Sequence, residues 1–287
     1  MSAHAVKGLA NDVVDSKKEF AFETTDFEAV RKRLKKIAGI NLADSKDSMV
    51  YSRLSRRIRH LKLSSFADYL RYVDQTKSEH QEFVNALTTN LTSFFREKHH
   101  FEELKSYIAG QKNRPLAIWC AASSTGEEPY SLAITVVEAL GHFNGKVKII
   151  ASDIDSDVLS TASRGMYKIE QLDGFENSMK KRYFHRGKGA NSGMVKVVPE
   201  LRKLVEFKRI NLMDTGWELP QNIDIVFCRN VMIYFDKETQ LQILTKIVAH
   251  MAPQGLYFAG HSENFGHVKS ILKPLGKTIY RPQVAGE

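Results

Sequence analysis

The chain has 287 residues, 43% hydrophobic and 26% charged, a balance that suits one large globular domain or two smaller ones. No apolar run approaches the ~20 residues that span a bilayer, and the polar start (Met1 to Lys18) carries no signal peptide, so a cytoplasmic protein without membrane insertion is expected. The formal net charge is +9, and one segment accounts for it: from Arg31 to Lys62 eleven basic residues stand against two acidic ones, an excess of nine that points to an acidic partner.

In chain order, residues 1–22 read as a loosely ordered tail. From Asp26 to about Leu91 apolar residues recur at helical spacing. Thr25 or Asp26 can cap a helix that carries Phe27, Val30, Leu34 and Ile37 and ends near Gly39. A second helix sets Val50, Leu54, Ile58 and Leu61 on one face and Arg53, Arg56, Arg57, Arg59 and Lys62 on others. Ser64 or Ser65 opens a third, with Phe66, Tyr69, Leu70 and Val73. A fourth runs from about Glu79 through Phe83, Leu87 and Leu91. Residues 23–91 thus form a small basic helical bundle, and 92–287 a second domain.

In that second domain strands and helices alternate, the mark of a mostly parallel sheet covered on both faces. The expected strands are Leu116–Cys120, Val147–Ser152, Val205–Arg209, Ile223–Cys228, Leu256–Gly260 and Thr278–Arg281. Helices are expected at Pro129–Leu140, Ser156–Ser163 and Glu238–His250. Tyr183 to Val198 breaks the rhythm with short alternating runs around Gly187, Gly189 and Gly193, which reads as an antiparallel hairpin inserted at about 178–204. Cys120 and Cys228 each end a strand without a second Cys or a His at ligand spacing, so reduced core thiols and no metal are expected.

The most specific segment is Ile118-Trp119-Cys120-Ala121-Ala122-Ser123-Ser124-Thr125-Gly126-Glu127-Glu128-Pro129-Tyr130. A buried strand breaks into small residues and enters a helix, as in the first turn of a nucleotide-binding α/β unit. It lacks both the dinucleotide fingerprint and the Lys of a phosphate loop. The adjacent carboxylates Glu127 and Glu128 would repel a pyrophosphate and suit a ligand with positive charge and hydroxyls, such as S-adenosylmethionine.

Asp153 ends the second strand, where a carboxylate can accept hydrogen bonds from ribose hydroxyls or cap the next helix; Asp155 is assigned to capping. Asn211 and Leu212 follow the third strand, where such groups border an adenine edge, although an Asn there can equally satisfy its own turn. Arg229, Asn230 and Tyr234 leave the carboxyl end of the Ile223–Cys228 strand, the usual ligand crevice of such sheets. The Asn- or Asp-Pro-Pro-aromatic turn common in enzymes that methylate nitrogen is missing here. Asn90-Leu91-Thr92-Ser93-Phe94-Phe95-Arg96-Glu97 joins the two domains, where clefts tend to lie.

Together these stretches, with Phe258-Ala259-Gly260-His261-Ser262-Glu263-Asn264-Phe265, resemble the chemotaxis receptor methyltransferase (CheR) family from residue 90 to 265. The resemblance implies a Rossmann-like α/β methyltransferase sheet with an inserted β-subdomain, preceded by an all-α domain. It implies methyl transfer from S-adenosylmethionine to glutamate side chains of chemoreceptor cytoplasmic coiled coils, leaving S-adenosylhomocysteine. By motif, cofactor contacts fall on Asn90, Thr92, Arg96, Glu127, Asp153, Asn211, Leu212, Arg229 and Asn230, with Arg96 and Tyr234 nearest the chemistry. His261 is read as structural. The β-subdomain of some family members holds a receptor C-terminal peptide, and the basic helix (Arg53, Arg56, Arg57, Arg59, Lys62) is the expected docking element. A nucleic-acid methylase would also explain the basic segment, and a non-catalytic adaptor would also keep the fold. Retention of Arg96, Glu127, Asp153 and Tyr234 together argues against the adaptor, and nucleic acid is not the expected partner.

Overall fold

The computed structural model describes residues 18–111, 114–143 and 146–283. The bundle is built from α1 (Thr24–Ala38), α2 (Asp47–His60), α3 (Phe66–Gln75) and α4 (Lys77–Leu87). Apolar side chains at helical spacing meet in one core: Phe27, Val30 and Leu34 of α1, Val50, Leu54 and Ile58 of α2, Tyr69 and Val73 of α3, and Phe83 and Leu87 of α4. Ser65 caps α3 by accepting from the Asp68 amide. The cap of α1 falls earlier than expected, at Glu23, whose amide donates to the Asp26 carboxylate at 3.0 Å. The expected tail also ends sooner. Phe20 and Phe22 pack on the bundle core, with Phe22 4.5 Å from the Phe66 ring, while residues 1–17 lie outside the described residues. Leu91 is a second correction. It lies beyond α4 in the connection to the next domain and is 81% exposed.

Five of the eleven basic residues between Arg31 and Lys62 are held by carboxylates, most of these distant in sequence, with Lys35 on Asp236 among them. Arg33 pairs with Asp74, Arg57 with Glu79 and Glu82, Arg59 with Glu19, and Arg31 with Glu28 and Asp44. Arg53 turns inward and donates to the Ala86 carbonyl at 3.3 Å and to that of Thr88, closing the C-terminal end of α4. Of the five cations expected to form a docking face, Arg56 and Lys62 are exposed without an ion pair among the described residues.

After α5 (His99–Ala109), a helix the strand-and-helix alternation did not announce, come β1 (Leu116–Cys120), α6 (Glu127–Leu140), β2 (Val147–Asp153) and α7 (Ser156–Arg164). An insertion holds β3 (Met166–Lys168), α8 (Asn177–Tyr183), β4 (Phe184–Arg186) and β5 (Met194–Val197), closed by α9 (Pro199–Arg202). The chain then continues through β6 (Val205–Arg209), β7 (Ile223–Phe227), α10 (Lys237–His250), β8 (Met251–Phe258), β9 (Leu272–Gly276) and β10 (Ile279–Pro282).

The main sheet has the order β6-β2-β1-β7-β8-β10-β9. Its first five strands pair in parallel and β10 and β9 close it antiparallel, so β1 and β7 are buried centrally. Helices α5 and α6 cover one face, with Phe101, Leu104 and Val136 against Ile118, Ile149 and Phe227. On the other face Ile243, Leu244 and Ile247 of α10 meet Trp119, Ile150 and Val226. The insertion is larger than a hairpin. Beside β4 and β5 a third strand, β3, gives the order β3-β5-β4, so the subdomain starts near residue 166 rather than 178.

Candidate functional site

A cleft of about 340 Å³ opens where the bundle meets the carboxyl ends of β1, β2, β6 and β7. That volume is in the range of small-ligand sites. The bundle side contributes Ile40, Leu42, Lys46 and Met49, and the connection contributes Asn90, Leu91, Thr92 and Arg96. The sheet side contributes Ser124, Glu128, Asp153, Leu212, Arg229 and Asn230, followed by Tyr234.

Strained backbone concentrates around it. Phe95, Glu97, Ser124 and Asn230 all take positive φ, between 48° and 59°. Such conformations persist only where surrounding bonds over-determine them. The turn after β1 shows how tightly it is built. Gly126 has φ 101°, and a Cβ there would lie 2.6 Å from the Tyr167 hydroxyl and 2.8 Å from Ala162. Only glycine fits.

Asp153 is 8% exposed, and each of its oxygens already accepts a backbone N–H, from Ser124 at 2.8 Å and from Asp155 at 3.0 Å. Burial pushes its carboxyl up to about 6, with those two N–H bonds pulling the other way. Asp155 caps α7 as expected, accepting from the Asp157 and Val158 amides. It also accepts from the Thr88 hydroxyl (2.7 Å) and the Asn90 amide (2.9 Å), which ties the interdomain connection to the sheet.

The acidic pair is divided. Glu127 does not line the cleft. Its carboxylate turns toward the insertion, where Thr125 donates to it at 2.7 Å and Gln171 at 3.0 Å, and burial raises its pKa. The reason is helical geometry: adjacent residues at a helix start point about 100° apart. Glu128 takes the cleft side and is bound to Arg229 at 2.7 Å. The pair is therefore not a free acidic patch.

Arg229 is almost wholly buried. It also reaches Glu97 at 3.1 Å and the Arg96 carbonyl at 2.7 Å. Arg96 differs: its guanidinium donates to the Leu91 carbonyl at 3.1 Å and has no carboxylate partner among the described residues. Asn211 follows its turn-forming option. Its side chain accepts from the Met213 amide (3.0 Å) and donates to the Ile37 carbonyl (2.9 Å), leaving backbone to border the cleft.

The turn Met232–Tyr234 is held by Glu263, a residue to which the motif gave no role. Buried at 4% exposure, its carboxylate accepts from the amides of Val231 (3.0 Å) and Met232 (2.7 Å). The available signal was a Glu three residues after Gly260, whose burial only the fold reveals. His261 has an exposed side chain and contributes its amide to Glu97 at 3.1 Å. Glu97, His99 and His100 bring ligand atoms within 4.8 Å of one another. A cation among them would face the Arg229 guanidinium already on Glu97.

Two family models match this chain: the all-alpha domain of CheR methyltransferases over residues 25–88, and their SAM binding domain over 90–281. The chain belongs to the CheR methyltransferase family. It is 54% identical to chemotaxis protein methyltransferase 2 of Pseudomonas aeruginosa over 266 residues, covering 92% of this chain and 95% of that one. It is 44% identical to the chemotaxis protein methyltransferase of Salmonella typhimurium, covering 98% of both chains. The Escherichia coli protein of the same name is 43% identical, over 95% of this chain and 96% of its own.

The boundary between the two family domains falls in the connection that borders the cleft. The residues present fit S-adenosylmethionine. Asp153 keeps lone pairs free for hydroxyls, Arg96 is an unpaired cation for a carboxylate, and Leu212, Ile154 and Phe235 give an apolar wall. Every cofactor contact implied by the motifs lines the cleft except Glu127.

Proposed function

We propose that this chain methylates glutamate side chains on the cytoplasmic coiled coils of chemoreceptors, with Arg96 and Tyr234 nearest the reacting atoms. The observation that carries the reading is Arg96. It is a cation without a carboxylate partner among the described residues, in a cleft whose other arginine is already paired with Glu128 and Glu97. When bound, S-adenosylmethionine supplies a methyl group already activated by its sulfonium.

The chain's own residues then position and shield. Asp153 accepts the ribose hydroxyls, the backbone of Asn211 and Leu212 borders the adenine, and Asn90, Thr92 and Arg96 hold the methionine carboxylate. Glu128, Arg229 and Asn230 form the wall behind it, and Glu263 keeps Tyr234 where it can orient the attacking oxygen. A target glutamate has a reference pKa of about 4.3, so near neutral pH it is ionised and needs no general base. Alignment and exclusion of water remain as the catalytic tasks.

The docking reading is narrowed to Arg56 and Lys62, joined by Lys46 at the cleft. The pairing of Arg33, Arg57 and Arg59 with acids elsewhere weakens the basic field that a nucleic-acid partner would need. The insertion suits capture of a receptor C-terminal peptide as an added strand, since β3 and β4 are the outer strands of its sheet. Deleting 187–193 is expected to abolish affinity for such a peptide and leave cofactor binding intact. Failure of the intact chain to bind any receptor tail would end the tethering idea.

The test of the main reading is transfer of a labelled methyl group to receptor cytoplasmic fragments, with base-labile incorporation as expected for a glutamyl methyl ester. Incorporation that resists mild base, or none at all, would overturn it.

A further inference from the structure

Large hydrophobic side chains that stand out into solvent are few here: Leu91, Ile233, Leu241 and Leu275 among the described residues. Two of them, Leu91 (81% exposed) and Ile233 (50% exposed), line the cleft, one from the interdomain connection and one from the turn after β7. Scattered exposed leucines need no explanation, but a pair at the mouth of one cleft does.

Neither side chain rides on a loose segment. The Leu91 carbonyl accepts from Arg96 at 3.1 Å, and the preceding Asn90 is bonded to Asp155 at 2.9 Å. Ile233 sits in a turn whose Met232 amide donates to Glu263 at 2.7 Å and whose Met232 carbonyl accepts from Gln240 at 2.9 Å. Rigid presentation of an exposed apolar group is how interfaces lower the entropy lost on binding. The third group at this mouth is Lys46, exposed and without an ion pair among the described residues.

We infer that Leu91 and Ile233 form an apolar grip for the substrate helix, packing on the residues that flank the target glutamate while Lys46 faces its acidic side. The inference rests on the proposed methylation of receptor helices. A glutamate on a helix shares its face with residues three and four positions away. When its carboxylate enters the cleft, those neighbours must lie on the rim, where Leu91 and Ile233 stand. The preferred site is then a helical glutamate with apolar residues at those spacings. Charge selects an acidic helix, and the grip selects which glutamate on it is used.

The experiment measures initial rates on a receptor cytoplasmic fragment with the full chain and its Leu91→Ser, Ile233→Ser double variant. KM for the fragment is expected to rise roughly tenfold, with kcat changed less than about twofold and affinity for S-adenosylhomocysteine unchanged. Leu91→Met with Ile233→Leu should restore the wild-type KM. The fall of affinity with rising salt should keep its slope in the serine variant, because no charge was removed. An unchanged KM, or a loss of cofactor affinity, overturns the grip while leaving the methylation reading standing. A change in sedimentation without a change in KM would mean that the patch joins two copies of this chain, and overturns it as well. If the wild-type chain methylates no fragment, the parent reading fails and takes the grip with it.

Discussion

Arg229 in the cleft wall and Arg57 on the bundle are each held by two carboxylates, yet they sit in different media. The Arg229 side chain is 1% exposed, between Glu128 and Glu97; that of Arg57 is 22% exposed, against Glu79 and Glu82. In the cleft wall Arg229 and Glu128 are a fixed part of the lining. On the bundle the same chemistry staples α2 to α4. Counting charges along the chain cannot separate the two, because the partners of each lie elsewhere in sequence.

The largest effect that sharpens this contrast is expected from Arg229→Ala. It would leave Glu128 buried without a counter-charge, which costs about 3–5 kcal/mol. Denaturant unfolding should report that loss, and calorimetry should find S-adenosylhomocysteine binding gone at the same time. Stability near wild type would mean that water or relaxation replaces the guanidinium, and the wall is not rigid.

Arg57→Ala is the matching cut on the bundle. Glu79 is buried at 3% exposure, but the Tyr69 hydroxyl still donates to it at 3.0 Å. A loss of about 2 kcal/mol is expected, with cofactor affinity unaltered. If cofactor affinity falls too, the two regions are coupled and the comparison breaks.

Asp153 gives a smaller effect with a pH signature. Its folded carboxyl titrates at about 6, above the 3.8 of an unperturbed group, so its contribution to stability is fully present below 3.8 and is lost as pH rises through about 6. Cofactor binding should run the opposite way, since the ionised carboxylate is the better acceptor for ribose hydroxyls. Affinity for S-adenosylhomocysteine should drop as pH falls below about 6, and Asp153→Ala should cost about 1–3 kcal/mol of binding above it. A flat affinity from pH 5 to 8 would confine Asp153 to its bonds with Ser124 and Asp155.

Elements with a strong period were legible in the sequence. The helix carrying Phe66-Leu70-Val73 opens after Ser65 as expected, and α6, α7, α10, β1 and β7 lie within two residues of their expected bounds. Misses came where local signal was thin or a motif drew attention away. Helix α5 has Phe101, Leu104 and Ile108 at helical spacing, but Lys98 gives it no side-chain cap. Strand β3 has only three residues, too short for a period-two pattern to stand out. Leu91 extended the apolar spacing of α4, although that helix ends at Leu87. In the site, motif order located the cleft residues well. It could not assign Glu127 and Glu128 to opposite sides, because that depends on the phase of α6 against the sheet.

The smallest expected effect concerns the cations left free once pairing is counted. Arg53 cannot test docking: its guanidinium holds the carbonyl of Ala86 at 3.3 Å, so removing it damages the α4 end as well as any surface charge. Arg56 and Lys62 are exposed and without ion pairs among the described residues, so their removal isolates the surface term. Exposed ion pairs are worth under ~1 kcal/mol each and are screened by salt. Arg56→Ala with Lys62→Ala should therefore lower kcat/KM for receptor fragments by at most about thirtyfold, and added salt should bring the wild type down to the variant. Each methylation removes one negative charge from the receptor, so a docking contact made by these cations would weaken as the reaction proceeds and favour release of product. A double variant with undiminished kcat/KM at low salt would leave docking to Lys46 and the apolar rim.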